Sequence, residues 1–300
     1  MKLKRVNVYA LIIFIFVVYV ADAFYFTPAT QVARGSGTVL SDNWFESLNW
    51  IKNNTDECAV IATYWDPGHF ITGIARRAVV FDGASQNALF TRQRGNETVT
   101  TARISDIATT LYTTNESQAL EILSEYKKPG CDEMYYIASA DLIGKSQWWT
   151  YFATWNPVDK GHPLNYITAQ LSGARPILQQ NAIAYTYPLG QQQSFVVYEQ
   201  NETLTPFLQQ NNQFLRIATI TYYTRSGQFL VGSTPNADVQ GTLWVDPSRS
   251  IVIFMPPELE RAMFTRLFFF NGAGLDNFEL VGNWGGEVKL FKIIFPPNES

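Results

Sequence analysis

From Val6 to Ala21 the chain runs VNVYALIIFIFVVYVA without a charge, between Lys2, Lys4 and Arg5 on one side and Asp22 on the other. At 1.5 Å per residue such a helix is about 24 Å long, and Ala23-Phe24-Tyr25-Phe26 extend it toward a hydrocarbon thickness of ~30 Å. Beyond it the periodicity changes. Trp44, Leu48 and Ile51 fall at helical spacing behind Ser41-Asp42, which supply a cap. Ala59–Thr63 reads as a buried strand, Phe70–Arg76 as a short helix and Ala78–Phe81 as a second strand. Thr100–Thr110 and Glu116–Tyr126 read as helices, Glu133–Ala138 as a strand and Ile143–Thr154 as a Trp-rich helix. This alternation predicts a mixed α/β core.

After Asn156-Pro157 strand-like runs dominate: Ala182–Tyr187, Ser194–Gln200, Leu215–Thr224, Phe229–Val231, Thr242–Val245 and Ile251–Met255, separated by Gly, Pro, Asn and Asp turns. They predict an antiparallel β-rich unit. Glu258–Phe269 then reads as a helix, followed by strands at Phe278–Val281 and Lys289–Phe295. The expected fold class is α+β. Its parts are an N-terminal transmembrane segment over 1–26, an α/β core over 27–160, a β-rich unit over 161–257, and a helix and strands over 258–300 that return to the core.

Composition narrows the function. With 46% hydrophobic, 15% aromatic and 16% charged residues, the 300-residue chain is built to bury cores, unlike a disordered one. A formal net charge of -4 leaves no basic excess for phosphates, so no nucleic-acid partner is expected. The basic N-terminal flank predicts a single-pass protein of the cell membrane whose globular part is extracytoplasmic. Ala21-Asp22-Ala23 also has the form of a signal-peptide cleavage site, and both readings export the remainder. Export gives meaning to the sequons at Asn53, Asn96, Asn115, Asn201 and Asn298. It also permits a Cys58–Cys131 disulfide, because each cysteine precedes a strand-like run; if those strands are parallel neighbours, the cysteines share a sheet end.

Three constellations carry candidate chemistry. Tyr64-Trp65-Asp66-Pro67-Gly68-His69 follows a buried strand, where an aromatic donor and a carboxylate can grip a small hydroxyl; its alternative is an aromatic turn packed on the core. Asp141 opens a helix with Lys145 one turn on, which an ordinary cap and a solvated lysine also explain. Gly83-Ala84-Ser85-Gln86-Asn87 is a nucleophile elbow lacking its second glycine, so a hydrolase would pair Ser85 with His69 or His162. With two histidines and no ligand spacing, no metal site is expected.

Trp44 to Thr55, the strand Ala59–Thr63, Tyr64–His69 and Phe81–Asn87, followed by Thr265–Leu275 and Gly286–Lys292, together resemble one family. It is the archaeal-type catalytic subunit of the oligosaccharyltransferase of protein N-glycosylation, in its C-terminal soluble domain and last membrane helix. The resemblance covers most of residues 24–295. That family carries W-W-D-x-G where this chain has Tyr64-Trp65-Asp66-Pro67-Gly68, with tyrosine in place of the first tryptophan. The resemblance implies that Tyr64, Trp65 and Asp66 bind the hydroxyl of Ser or Thr two residues after the acceptor asparagine. A second family motif, D-x-x-K or M-x-x-I, packs on the same residue. Here Asp141 lies four residues before Lys145, and alignment on Lys145 puts Leu142 in the first slot and Trp149 in the last. Lys145, Leu142 and Trp149 therefore join the implied acceptor site, and Asp141 is left without a settled role.

The family holds its divalent metal (Mg or Mn), its catalytic carboxylates and its lipid-linked oligosaccharide in a many-helix membrane domain. This chain shows one candidate span, so it reads as a C-terminal portion, or a truncated or split version, with no catalytic residue or cofactor of its own. By itself it is not expected to transfer sugar. The implied partners are a polypeptide carrying Asn-x-Ser/Thr, a lipid-linked oligosaccharide reached through a membrane domain, and the membrane. The alternatives are a membrane-anchored binding or adaptor module, an exported hydrolase and a surface structural protein.

Overall fold

The computed structural model describes residues 3–35, 40–94, 97–177 and 181–296. The sequons at Asn96 and Asn298 lie outside the described residues. The chain divides into two units, Met1–Phe45 and Glu46–Ser300.

In the first unit the uncharged run forms the helix Leu3–Ala21, which continues through a π-turn at Asp22–Phe26 into a helix over Thr27–Gly35. Val8–Val32 has a mean hydropathy of 2.2 and buries none of its side chains, so this helix is long and apolar enough to cross a membrane. The next helix, Asp42–Asn54, begins in this unit and lies mostly in the second; it is capped by Ser41, whose Oγ accepts from the Trp44 amide at 3.2 Å.

In the second unit, the apolar runs become the strands β1 (Val60–Ala62) and β2 (Ala78–Val79). A hairpin follows, β3 (Leu89–Arg94) and β4 (Glu97–Ala102), then β5 (Met134–Ser139). The β-rich stretch contains β6 (Ile167–Gln170), β7 (Gly173–Ile177), β8 (Ala182–Gly190), β9 (Gln193–Gln200) and β10 (Thr203–Gln210). It continues as β11 (Gln213–Tyr223), β12 (Phe229–Ser233), β13 (Val239–Val245) and β14 (Ile251–Met255). The chain closes with β15 (Phe278–Trp284) and β16 (Val288–Ile293).

One sheet has the order β15-β16-β5-β1-β2. Its centre is parallel, with Val60 opposite Met134, and every side chain of β1 and β5 is buried, as expected of strands covered on both faces. The parallel register brings the residues before β1 and β5 to one sheet end, where Cys58 and Cys131 form a disulfide with Cα atoms 6.1 Å apart. The helix Arg103–Tyr112 buries Ile104, Ile107, Ala108 and Leu111, a single helical face, in the same core as β5. Asn115 caps the helix Glu116–Ser124 by accepting from the Ser117 and Gln118 amides. The second sheet runs β6-β14-β13-β11-β10-β9-β8-β7, with β12 added to β11, over its own core of Tyr187, Phe195, Val197, Ile217 and Leu243.

The fold is therefore the α+β class that the sequence pattern predicts, with local differences. Thr100–Ala102 is strand and not helix, because β-branched Thr98-Val99-Thr100-Thr101 pairs with β3; the helix starts at Arg103. The helix expected over 143–154 is two, Asp141–Gly144 and Ser146–Thr154, broken where Lys145 leaves helical geometry (φ -98, ψ 5). Only Met263–Phe268 of the expected 258–269 helix is regular. The β-rich unit is not wholly antiparallel: β11 and β13 pair in parallel.

Candidate functional site

The loop after β1 folds back on the loop after β2. Gly68 makes this possible: a Cβ there would lie 2.7 Å from the Phe81 carbonyl oxygen and 2.8 Å from Asp82 Cβ. Only a glycine lets the two backbones approach so closely. Residues 64–66 are thereby held against Phe81–Asn87, and the helix Ser146–Thr154 supplies the opposite wall. The result is a cleft of about 500 Å³ lined by Tyr64, Trp65, Asp66, Gln86, Asn87, Ile104, Lys145, Trp148 and Phe152.

Tyr64 is buried, its ring edge-on to Phe81 at 6.3 Å between centroids. Burial, reinforced by the Asp66 charge, raises its pKa, so the phenol remains a neutral donor and acceptor. Asp66 reaches across the cleft to Lys145, whose Nζ stands 2.6 Å from Asp66 Oδ2 and 2.6 Å from Asp141 Oδ2. Asp141 Oδ1 in turn accepts from Ser139 Oγ at 2.5 Å. Burial alone would lower the Lys145 pKa, but the hydrogen bonds and charges of Asp141 and Asp66 outweigh it and raise it. The ammonium form is therefore favoured, and it joins both sequence motifs through one atom. Asp141 thus holds the Lys145 ammonium from the other side.

The structure thus brings Tyr64, Trp65, Asp66 and Lys145 together. Leu142 and Trp149 lie elsewhere, fully buried in the core, where the Trp149 indole donates to the Leu142 carbonyl at 2.9 Å and packs against Tyr166 and Phe264. The aromatic side chains on the cleft wall are instead Trp148 and Phe152. They sit three and seven residues after Lys145, a spacing that marks one helical face and was readable in the sequence. Gln86 and Asn87 belong to the 81–87 segment on which the resemblance rests, and Ile104 had no such signal.

Ser85 is not poised as a nucleophile. Its Oγ donates to Asp82 Oδ1 at 2.8 Å, while His69 Nδ1 lies 3.7 Å from Asp82 Oδ2. The carboxylate stands between serine and histidine, the reverse of the order in which histidine takes the serine proton. Asp82 accepts also from the Ala84 and Ser85 amides at 3.0 Å each; the Ser85 hydroxyl leads the interactions that lower its pKa, so it shapes the loop. Among the described residues no group of three or more His, Cys, Asp or Glu side chains could hold a metal ion.

Curated relatives match short segments of the chain. It is 52% identical over 48 residues to a dolichyl-phosphooligosaccharide-protein glycotransferase of Methanocaldococcus jannaschii, covering 16% of this chain and 5% of the relative. It is 44% identical over 61 residues to the protein of the same description from Methanococcus voltae, covering 20% and 7%. A plant relative, the dolichyl-diphosphooligosaccharide–protein glycosyltransferase subunit STT3B of Oryza sativa, is 33% identical over 72 residues, covering 23% and 10%. The chain resembles the oligosaccharyltransferase catalytic subunits, as its motifs imply, and the matching segments span a tenth or less of those relatives' length. Among solved structures, the C-terminal domain of PglB from C. jejuni is similar with a TM-score of 0.49 at 14% identity, covering 84% of this chain and 99% of that one. The C-terminal globular domain of an oligosaccharyltransferase from Pyrococcus abyssi gives a TM-score of 0.44 at 13% identity, covering 83% and 50%. No family model matches the chain.

Proposed function

We propose that the Tyr64–Asp66–Lys145 cleft recognises the hydroxyl residue of an Asn-x-Ser/Thr acceptor, as the acceptor-binding part of an oligosaccharyltransferase that moves a lipid-linked oligosaccharide onto asparagine. The observation that supports this reading best is the state of Asp66. Among the described residues its one ion-pair or hydrogen-bond partner is Lys145, on Oδ2, which leaves Oδ1 to accept a hydroxyl proton. The Tyr64 hydroxyl likewise makes no hydrogen bond among the described residues, and its side chain lines the same cleft. The apolar faces of Trp148 and Phe152 suit the methyl group that distinguishes threonine from serine.

In this reading the cleft binds and orients, and glycan transfer takes place in a membrane domain that presents the lipid-linked donor. The divalent metal that the resemblance implies does not fit the residues described, and it belongs with that domain. The N-terminal helix anchors the chain, and its basic flank at Lys2, Lys4 and Arg5 keeps that end cytoplasmic and the cleft outside.

The test is a titration of the full chain with two peptides differing only in Asn-x-Thr against Asn-x-Val. The threonine peptide should bind tighter by about 1–3 kcal/mol, and Asp66→Ala should erase the difference. Equal affinities for the wild-type chain would overturn the reading.

A further inference from the structure

Away from this cleft, β12 pairs with β11 alone among the described strands, which makes it an edge strand. Its register with β11 places Thr219 opposite Ser233, Thr221 opposite Val231 and Tyr223 opposite Phe229. The Thr224 amide donates to the Gln228 carbonyl and the Thr234 amide to the Ala218 carbonyl, both at 2.8 Å. In an antiparallel pair, hydrogen-bonded positions alternate. Leu230 and Gly232 therefore bond to β11, and the N–H and C=O groups of Phe229, Val231 and Ser233 point away from it. Among the described residues β12 has no second strand neighbour.

Edge strands are commonly blunted by proline, charge or a bulge. Phe229-Leu230-Val231-Gly232-Ser233 contains no proline or charged residue, and its register with β11 is unbroken. The side chains of Phe229 and Val231, which lie on the sheet face of Thr219, Thr221 and Thr242, line a second cleft of about 310 Å³ with Met255, Glu260, Arg261 and Phe270. Val231 is 64% exposed. The floor holds Thr221, 3% exposed, whose hydroxyl has no hydrogen-bond partner.

We propose that β12 is a docking edge for an extended polypeptide segment, which pairs with the outward groups of Phe229, Val231 and Ser233 and lays alternate apolar side chains into the cleft beside them. An extended backbone is the ligand that matches donors and acceptors repeating every second residue, and a strand added in register turns alternate side chains onto the cleft face. Polar side chains at the intervening positions face the other way.

The probe is the fluorescein-labelled peptide Gly-Gln-Val-Gln-Phe-Gln-Val-Gln-Gly, which carries no hydroxyl and no sequon. It should bind the full chain. Val231→Pro removes an N–H that the existing sheet does not use, and it should weaken binding at least tenfold with an unchanged circular dichroism spectrum. The same peptide N-methylated at alternate residues tests the pairing without altering the protein, and should bind at least tenfold more weakly. Asp66→Ala should leave binding unchanged, which separates this site from the acceptor cleft. Equal binding of the methylated peptide, or loss of binding in Asp66→Ala, would overturn the proposal. Concentration-dependent self-association abolished by Val231→Pro would assign the edge to a second copy of the chain, and would overturn it too.

Discussion

Lys145 Nζ stands 2.6 Å from Asp66 and 2.6 Å from Asp141, so one ammonium joins the loop after β1 to the helical turn after β5. Two carboxylates that share a cation lose their compensation together when it is removed. In Lys145→Met, Asp66 and Asp141 are left facing each other with like charge and no cation between them. The variant should bind an Asn-x-Thr peptide several-fold more weakly at pH 7. Lys145→Arg keeps the charge and should retain most of the affinity. Isothermal titration of both variants reads this; an equal loss in the arginine variant would show that the ammonium's size matters and its charge does not.

Gly68 is set by contact and not by conformation. An added methyl would sit 2.7 Å from the Phe81 carbonyl oxygen, against backbone that cannot swing aside. Overpacking of this kind typically costs 1–3 kcal/mol. Gly68→Ala should lower the urea midpoint accordingly and weaken peptide binding as well, because the 64–66 loop moves off Asp82. Gly73, where an added Cβ meets nothing within 4 Å, is the control, and Gly73→Ala should be near neutral.

Much of this arrangement could be read from the chain because local signals agreed with tertiary ones. The largely apolar runs of β1 and β5 mark strands buried on both faces, and Trp65-Asp66 follows the first of them. Their parallel pairing was the condition for the Cys58–Cys131 bond, and it is met. Other features depend on contacts distant in sequence. Arg77 is 7% exposed and donates to the Lys52 and Thr55 carbonyls at the end of the helix Asp42–Asn54 and to Thr55 Oγ1. Nothing in its neighbours in sequence marks it as a helix-end clamp. Trp148 and Trp149 are adjacent and chemically identical; the helix break at Lys145 decides which faces the cleft and which enters the core.

The disulfide closes a separation of 73 residues. By the chain-entropy model a loop of that length stabilises the fold by about 4 kcal/mol. Cys58→Ser with Cys131→Ser should therefore melt well below the wild-type chain, and dithiothreitol should lower the wild-type melting temperature toward that of the variant without affecting the variant. Equal melting temperatures with and without reductant would show that the crosslink does not stabilise the fold.

Lys289 gives stability an unusual alkaline slope. Its side chain is 8% exposed, and its Nζ donates to the Phe268 carbonyl and to Asn271 Oδ1, while among the described residues no carboxylate forms an ion pair with it. Desolvation pushes its pKa from 10.5 down to about 8. Below pH 8 both folded and unfolded chains carry the proton, and the fold bears the cost of a buried charge. Between 8 and 10.5 the unfolded chain binds the proton and the folded chain does not, so stability rises with pH. At about 1.4 kcal/mol per unit the gain over the two units from pH 8 to 10 is at most ~3 kcal/mol. The buried tyrosines oppose it from about pH 10: burial raises the pKa of Tyr136 and Tyr166, so they ionise first in the unfolded chain and destabilise the fold as pH climbs further. The window for Lys289 is therefore pH 8–10. Urea unfolding of the wild-type chain and Lys289→Met at pH 7, 8, 9 and 10 isolates it, since the tyrosines are common to both. The wild-type minus variant difference should be flat up to about pH 8 and then rise; parallel curves across the range would show that Lys289 stays charged in the fold, held by its two carbonyl partners.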